Sequence, residues 1–330
     1  VAAQMQARGS AASAGPVNAG DVVAAATAQG LSQESAQRYT ALLYAGLGNA
    51  MSATAQPEQA LGYYEAAMPL AQASLDSQLL MTLNGQMAAN HASLGDAAEE
   101  HGRQDQALIH YQQAITLADT AQYVTLVSHA SHQLLSLGNQ ALNEGRYEQA
   151  VAAYQAAMPH AAGDPELASA LTYNLHLTLG NQAFDRGDYQ QAISAYQAAM
   201  PYAHGDAKPK LASALTHNLY LSYGRLGDAH VQAGRYPEGR AAYQKALGFA
   251  QGSPQRAQAI AHQIGHSYAL EGDGQLQQQQ YPDARAAYQA ALELAHDSPQ
   301  LAEALTRQIG LTHLFEGDVA FDRQQMDEAK

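Results

Sequence analysis

Histidine is the residue type in this chain with the clearest capacity for chemistry, and there are fourteen copies. His262 and His266 stand four apart in HQIGH, and His129 and His132 stand three apart. On a helix either spacing puts two imidazoles on one face, where they could share a metal ion. HQIGH lacks the Glu of the zinc-protease pattern HExxH, and no third ligand is evident. The other reading is that His replaces Gln or Asn on helix surfaces. His91, His176 and His313 each lie four residues before a recurring Gly, which points to a repeat position rather than to catalysis. There is no Cys, so disulfides, thiolate catalysis and cysteine zinc sites are removed. No Gly-rich phosphate loop opens a helix in the right context, and no Ser-His-Asp order stands out. A chain without enzymatic activity and without a cofactor is expected.

The recurring Gly belongs to a unit that fills most of the chain. LGNQALNEGRYEQAVAAYQAA begins at Leu137, and LGNQAFDRGDYQQAISAYQAA begins at Leu179. Looser copies begin at Leu47, Leu94 and Leu226, and reduced ones at Glu271 and Glu316. Gly48, Gly95, Gly138, Gly180, Gly227, Gly272 and Gly317 mark the units, at spacings of 47, 43, 42, 47, 45 and 45. Ala follows each Gly by twelve in six units, with Gly239 the exception. Tyr64, Tyr111, Tyr154, Tyr196, Tyr243 and Tyr288 follow by sixteen, and an Ala by nineteen. Steps of four and three put Ala, Tyr and Ala on one helix face. Gly102, Gly145, Gly187 and Gly234 come seven after the first Gly, where a left-handed C-cap would end one helix before the next. Each unit therefore reads as a helix A of about 20 residues, a tight turn, and a helix B of about 15.

The joints agree with this reading. Asp164-Pro165-Glu166 reads as an N-cap, a first-turn Pro and a dipole-compatible acid, and Ser253-Pro254 and Ser298-Pro299 serve the same purpose. Pro69, Pro159 and Pro201, each in an AAMP segment, should bend or end helix B. Near the N-terminus, VAAQMQAR could make one or two helical turns, Gly9 to Gly20 reads as loop, and Asp21 as the N-cap of a short helix that Gly30 ends. Ser32 caps the helix after it. Residues 1–30 form a leader and 31–330 the array, with six full repeats and a partial seventh whose helix B begins at Met326.

The Leu-Gly-Asn opening, the turn Gly, the Tyr two residues later (Tyr147, Tyr189, Tyr236) and the Ala-Tyr-Ala ladder resemble the tetratricopeptide-repeat family, over roughly residues 32 to 330. The period exceeds the standard 34, so this is a long-helix variant. The family's helix-A Trp is absent, and Leu134 or His176 stands in its place. The expected fold is all-α, a right-handed superhelical solenoid of such hairpins. The resemblance implies a protein–protein interaction scaffold. It also implies that Asn49, Asp96, Asn139, Asn181, Asp228, Asp273 and Asp318, which follow the repeat Gly, face a groove and hydrogen-bond a bound peptide. The alternative role for these residues is an inter-repeat hydrogen bond or a neutral surface choice. Ala92, Leu135, Leu177, Gly224 and Ala269 stand where chaperone-tail binders of the family carry bases, which argues against a carboxylate clamp.

Sixteen Lys and Arg against thirty Asp and Glu give a net charge of −14, with no basic run, so nucleic acid is an unsuitable partner. No apolar run approaches the length of a membrane span. The expected partner is a protein or peptide. Copies of the chain are included, because the seventh unit stops before its Tyr and leaves an apolar layer that the N-terminal segment of another copy could complete head to tail. The other reading of that end is a truncated chain. The compartment is not readable; the start at Val1, with no visible signal peptide, is compatible with export.

Overall fold

A computed structural model describes residues 18–118, 121–203, 209–250, 252–295 and 298–328. Among the described residues every regular element is helical. After a short α1 (Ala19–Ala28) come hairpins α2/α3 (Gln33–Ala53, Pro57–Ala73), α4/α5 (Ser77–Glu100, Gln104–Leu117) and α6/α7 (Val124–Asn143, Tyr147–Ala157). They are followed by α8/α9 (Pro165–Asp185, Tyr189–Ala199), α10/α11 (Pro209–Gln232, Tyr236–Phe249), α12/α13 (Pro254–Gln277, Tyr281–Glu293) and a final α14 (Pro299–Glu328). Two compact units divide the chain, one through Leu175 and one from His176. Where both helices lie within one unit, helix A packs on its own helix B, and helix B on the next helix A.

The turn between A and B is set by one backbone geometry. In α6/α7, Gly145 has φ +73°, Gly145 N–H donates to Leu142 O at 3.1 Å, and Arg146 N–H donates to Ala141 O at 2.8 Å. These bonds occupy the last carbonyls of helix A in a Schellman-type cap. The same geometry occurs at Ala55 (φ 56°) and Gln279 (φ 62°), which also lie seven residues after the repeat Gly. Holding a side chain there costs roughly 1–2 kcal/mol. Helix-on-helix packing offsets that cost in both hairpins.

Inside each hairpin the Ala and Tyr of helix B form the core. Ala150, Tyr154 and Ala157 are buried, as are Ala60, Tyr64 and Ala67 and the corresponding residues of α5, α9 and α13. The ring lies flat against the repeat Gly. A Cβ on Gly48, Gly95, Gly138, Gly180, Gly227 or Gly272 would fall 2.3–2.7 Å from Cε1 of the hairpin's Tyr, inside van der Waals contact. The recurring Gly therefore exists to admit a Tyr ring. At Gly317 no atom lies within 4 Å of that position.

The joints follow the cap rules. Asp164 Oδ1 accepts from Glu166 N–H and Leu167 N–H at 3.1 and 3.0 Å, and Ser32 Oγ accepts from Ser35 N–H at 3.2 Å. The AAMP segments divide. At Pro159 and Pro201 helix B gives way to a 3₁₀ turn (Met158–His160, Met200–Ala203), whereas α3 continues through Pro69 to Ala73. After Pro69 the chain reads Leu-Ala-Gln-Ala, good helix formers with Ala71 buried, whereas Gly163 soon follows Pro159.

Two expectations are corrected. Helix α1 starts at Ala19, because Asn18 rather than Asp21 is its cap: Asn18 Oδ1 accepts from Gly20 N–H at 3.0 Å, and Asp21 lies in the first turn. At the other end α14 runs unbroken to Glu328, so no helix B begins at Met326. Gln324 stands where the turn residue belongs, and the helix continues through it. The expectations for residues 1–17 and for Ala329 lie outside the described residues.

Candidate interaction surface

The Asn/Asp ladder was the main site expected on helix A. Six of its seven members are tied to the Tyr of their own hairpin. Tyr64, Tyr111, Tyr154, Tyr196, Tyr243 and Tyr288 hydroxyls donate to Oδ1 of Asn49, Asp96, Asn139, Asn181, Asp228 and Asp273 at 2.6–2.9 Å. A second donor reaches the same oxygen from the next helix A in three cases. These are His129 Nε2 on Asp96 (3.0 Å), Asn174 Nδ2 on Asn139 (2.8 Å) and Gln263 Nε2 on Asp228 (3.2 Å). Five of the six are only partly buried and Asn49 is exposed. Asp318 is exposed and has no Tyr opposite. The ladder thus satisfies a buried phenol in every complete hairpin. Burial, and then the hydrogen bond to the carboxylate and its charge, push Tyr111, Tyr243 and Tyr288 above the ordinary tyrosine range.

The histidines disperse. His262 and His266 are exposed on α12, and no group of three or more His, Cys, Asp or Glu that could hold a metal occurs among the described residues. His129 and His132 part company: His129 bonds Asp96, while His132 Nδ1 contacts Ser128 O at 2.9 Å and its Nε2 lies 3.5 Å from Asp164 Oδ2. His91 departs from the surface reading. It occupies the interior slot four before the repeat Gly, which Tyr44, Leu134 and Tyr223 fill in other hairpins, and it is buried there. Its Nδ1 lies 3.2 Å from Nδ1 of His110 on α5, with the rings stacked.

Two sizeable clefts lie where the motif residues are silent. In the first unit a cleft of about 920 Å³ is lined by Ala118, Val124, Val127, His160, Pro165 and Leu167, among others. In the second a cleft of about 790 Å³ is lined by Leu247, Pro254, Ala261, His262, Leu294 and Ala295, among others. Both occupy the same register: the last turn of one helix B, the first turns of the next helix A, and the end of that hairpin's own helix B. Those segments are the extra length that carries the period beyond 34. Composition gave no signal for the clefts. The long period was the one clue.

A chain of stacked helical hairpins, each locked by a Gly–Tyr socket, defines a helical-repeat protein. The family model described as tetratricopeptide repeat matches residues 177–255, and the same Gly, Tyr and Ala positions repeat the geometry in the hairpins outside that segment. That match places the tetratricopeptide repeat on α8/α9 and α10/α11. No curated protein matches it. Solved structures similar to it include MamA protein (20% identity, 64% of this chain and 93% of that one, TM-score 0.28). Another is the TPR2AB-domain:pHSP90 complex of yeast Sti1 (15%, 83% and 99%, TM-score 0.24). A third is aspartyl phosphate phosphatase F from Bacillus subtilis (16%, 84% and 72%, TM-score 0.25). Likenesses at these scores carry no argument about function. The tetratricopeptide-repeat fold is typically a non-enzymatic interaction scaffold, and no described helix is long and apolar enough to cross a membrane.

Proposed function

We propose that this chain is a non-enzymatic scaffold that holds a protein or peptide partner on its helix-A surfaces. The recurrence of one cleft at one register in both units carries the reading, because an apolar hollow of this kind suits an anchor side chain of a protein or peptide partner. The atoms of Asn49, Asp96, Asn139, Asn181, Asp228, Asp273 and Asp318 not engaged by Tyr would add polar contacts to the partner backbone. The test is retention of proteins from an extract of the source organism on immobilised chain. A defined set should bind the native chain and be lost on Val124→Asp or Leu247→Asp, both exposed positions where helicity should hold. Retention of no protein above a blank support, or equal retention by all three chains, would sink the reading.

A second reading, association of copies head to tail, is favoured by α14. Leu314, Phe315 and Phe321 are exposed on it, and Gly317 faces no ring. Sedimentation over a wide concentration range tests it: a mass that stays monomeric throughout counts against it.

A further inference from the structure

The residue before the repeat Gly changes character along the chain. It is Leu in the first five units and Glu271 and Glu316 in the last two. The residue thirteen after the repeat Gly changes with it, from Leu61 and Leu108 to Arg240 and Arg285. The two positions meet across the boundary between one helix B and the next helix A. Leu61 and Leu94 share one apolar cluster, and Leu108 packs on the cluster containing Leu137. At the α11/α12 boundary the same place holds an ion pair, with Arg240 Nη1 2.7 Å from Glu271 Oε2 and side chains only 12% and 21% exposed; the pair at the α13/α14 boundary, Arg285 Nη1 2.8 Å from Glu316 Oε2, is less deeply buried at 19% and 43%. The guanidinium also lies 3.9 Å over the Tyr268 ring. Buried polar atoms with no protein hydrogen-bond partner among the described residues occur in both hairpins, Ser267 Oγ and Gln275 Oε1 on α12 and His217 Nδ1 and His230 Nδ1 on α10, so they do not distinguish this joint.

We infer that the α11/α12 boundary is an ionic latch, the joint at which the second unit opens first. Taking both charges out of water costs free energy that their attraction only partly returns, so a buried pair holds an interface less well than the apolar contact it replaces. In a repeat array stability is a sum of unit and nearest-neighbour terms, so the weakest boundary decides where the array parts. Sub-global opening there would release α12, α13 and α14 together while α10 and α11 stay folded. The cleft lined by Leu247, Ala261 and Leu294 straddles this joint, so opening would also dismantle it.

Hydrogen exchange on the full chain, read by mass spectrometry, tests the latch. Amides of α12 and α13 should exchange at least about tenfold faster than those of α10 and α11. Arg240→Leu or Glu271→Leu alone should speed α12 and α13 by about 100-fold or more, because each leaves a buried charge without its partner. The double variant Arg240→Leu/Glu271→Leu should slow them to about a tenth of the native rate or less. Equal protection of the two hairpins in the native chain would overturn the inference. So would a double variant that exchanges as fast as the native chain or faster, which is the result that simple fraying from the end of the array produces.

Discussion

Gly138→Ala should destabilise its hairpin by about 1–3 kcal/mol, whereas Gly317→Ala should stabilise α14 by up to about 1 kcal/mol. The two positions are equivalent in the repeat, and Ala is the better helix former at both. The difference is the ring. A Cβ on Gly138 would come 2.3 Å from Cε1 of Tyr154, a side chain with no exposed surface, so either the ring or the helix must move. Overpacking of this kind typically costs 1–3 kcal/mol, and displacing the ring also strains the 2.9 Å bond from its hydroxyl to Asn139, which is worth about 1 kcal/mol. Those terms outweigh a helix-propensity gain of about 1 kcal/mol. At Gly317 nothing lies in the way and only the gain remains. Urea titration, with hydrogen exchange to localise the change, checks both signs. If Gly138→Ala proves neutral, the socket is not what selects the Gly. Tyr154→Leu supplies a further control: combined with Gly138→Ala it should cost less than the two single changes added together, because the clash is gone.

That contrast shows why so much of the fold was legible. Gly, Ala and Tyr at fixed offsets are the contact surfaces themselves, so a pattern in sequence maps directly onto a pattern in space. Asp164 and Ser32 were readable as caps because their chemistry is local. Ala55 and Gln279 were not readable as left-handed turn residues, since nothing in an Ala or a Gln announces positive φ; the packed hairpin imposes it. The unbroken α14 departs from the repeat pattern, which implied a turn at Gln324. In the site, the ladder was found but its first duty was not. An acceptor one residue after Gly and a Tyr fifteen further on recur six times, and that offset already encodes the hydrogen bond. The clefts were invisible because Val124, Leu247 and their neighbours follow no repeat rule; they arise from helix length. The burial of His91 was signalled only by its sister positions, Tyr44, Leu134 and Tyr223.

His91 leads to the second large expected effect, a loss of stability in mild acid. His91 and His110 meet through their Nδ1 atoms at 3.2 Å, so one ring must accept while the other donates, and two imidazolium rings cannot make that contact. Burial, and then the proximity of His110, push His91 down to about 4. His110 is also lowered, mainly by burial, with Arg103 adding to the effect and Gln113 and Glu58 opposing it. In the unfolded chain His91 would titrate near its ordinary value of about 6.5. Between those values the unfolded chain binds the extra proton, so stability is full above about pH 6.5 and falls as pH drops toward 4. The loss expected from His91 over that window is on the order of 2–3 kcal/mol, concentrated in α4 and α5. His91→Leu should flatten the dependence, since Leu134 fills the same slot in the next hairpin and carries no charge. Urea titrations at pH 7 and pH 4.5, compared between the two chains, decide the matter. A variant that loses as much stability as the native chain would assign the acid sensitivity to groups other than this pair.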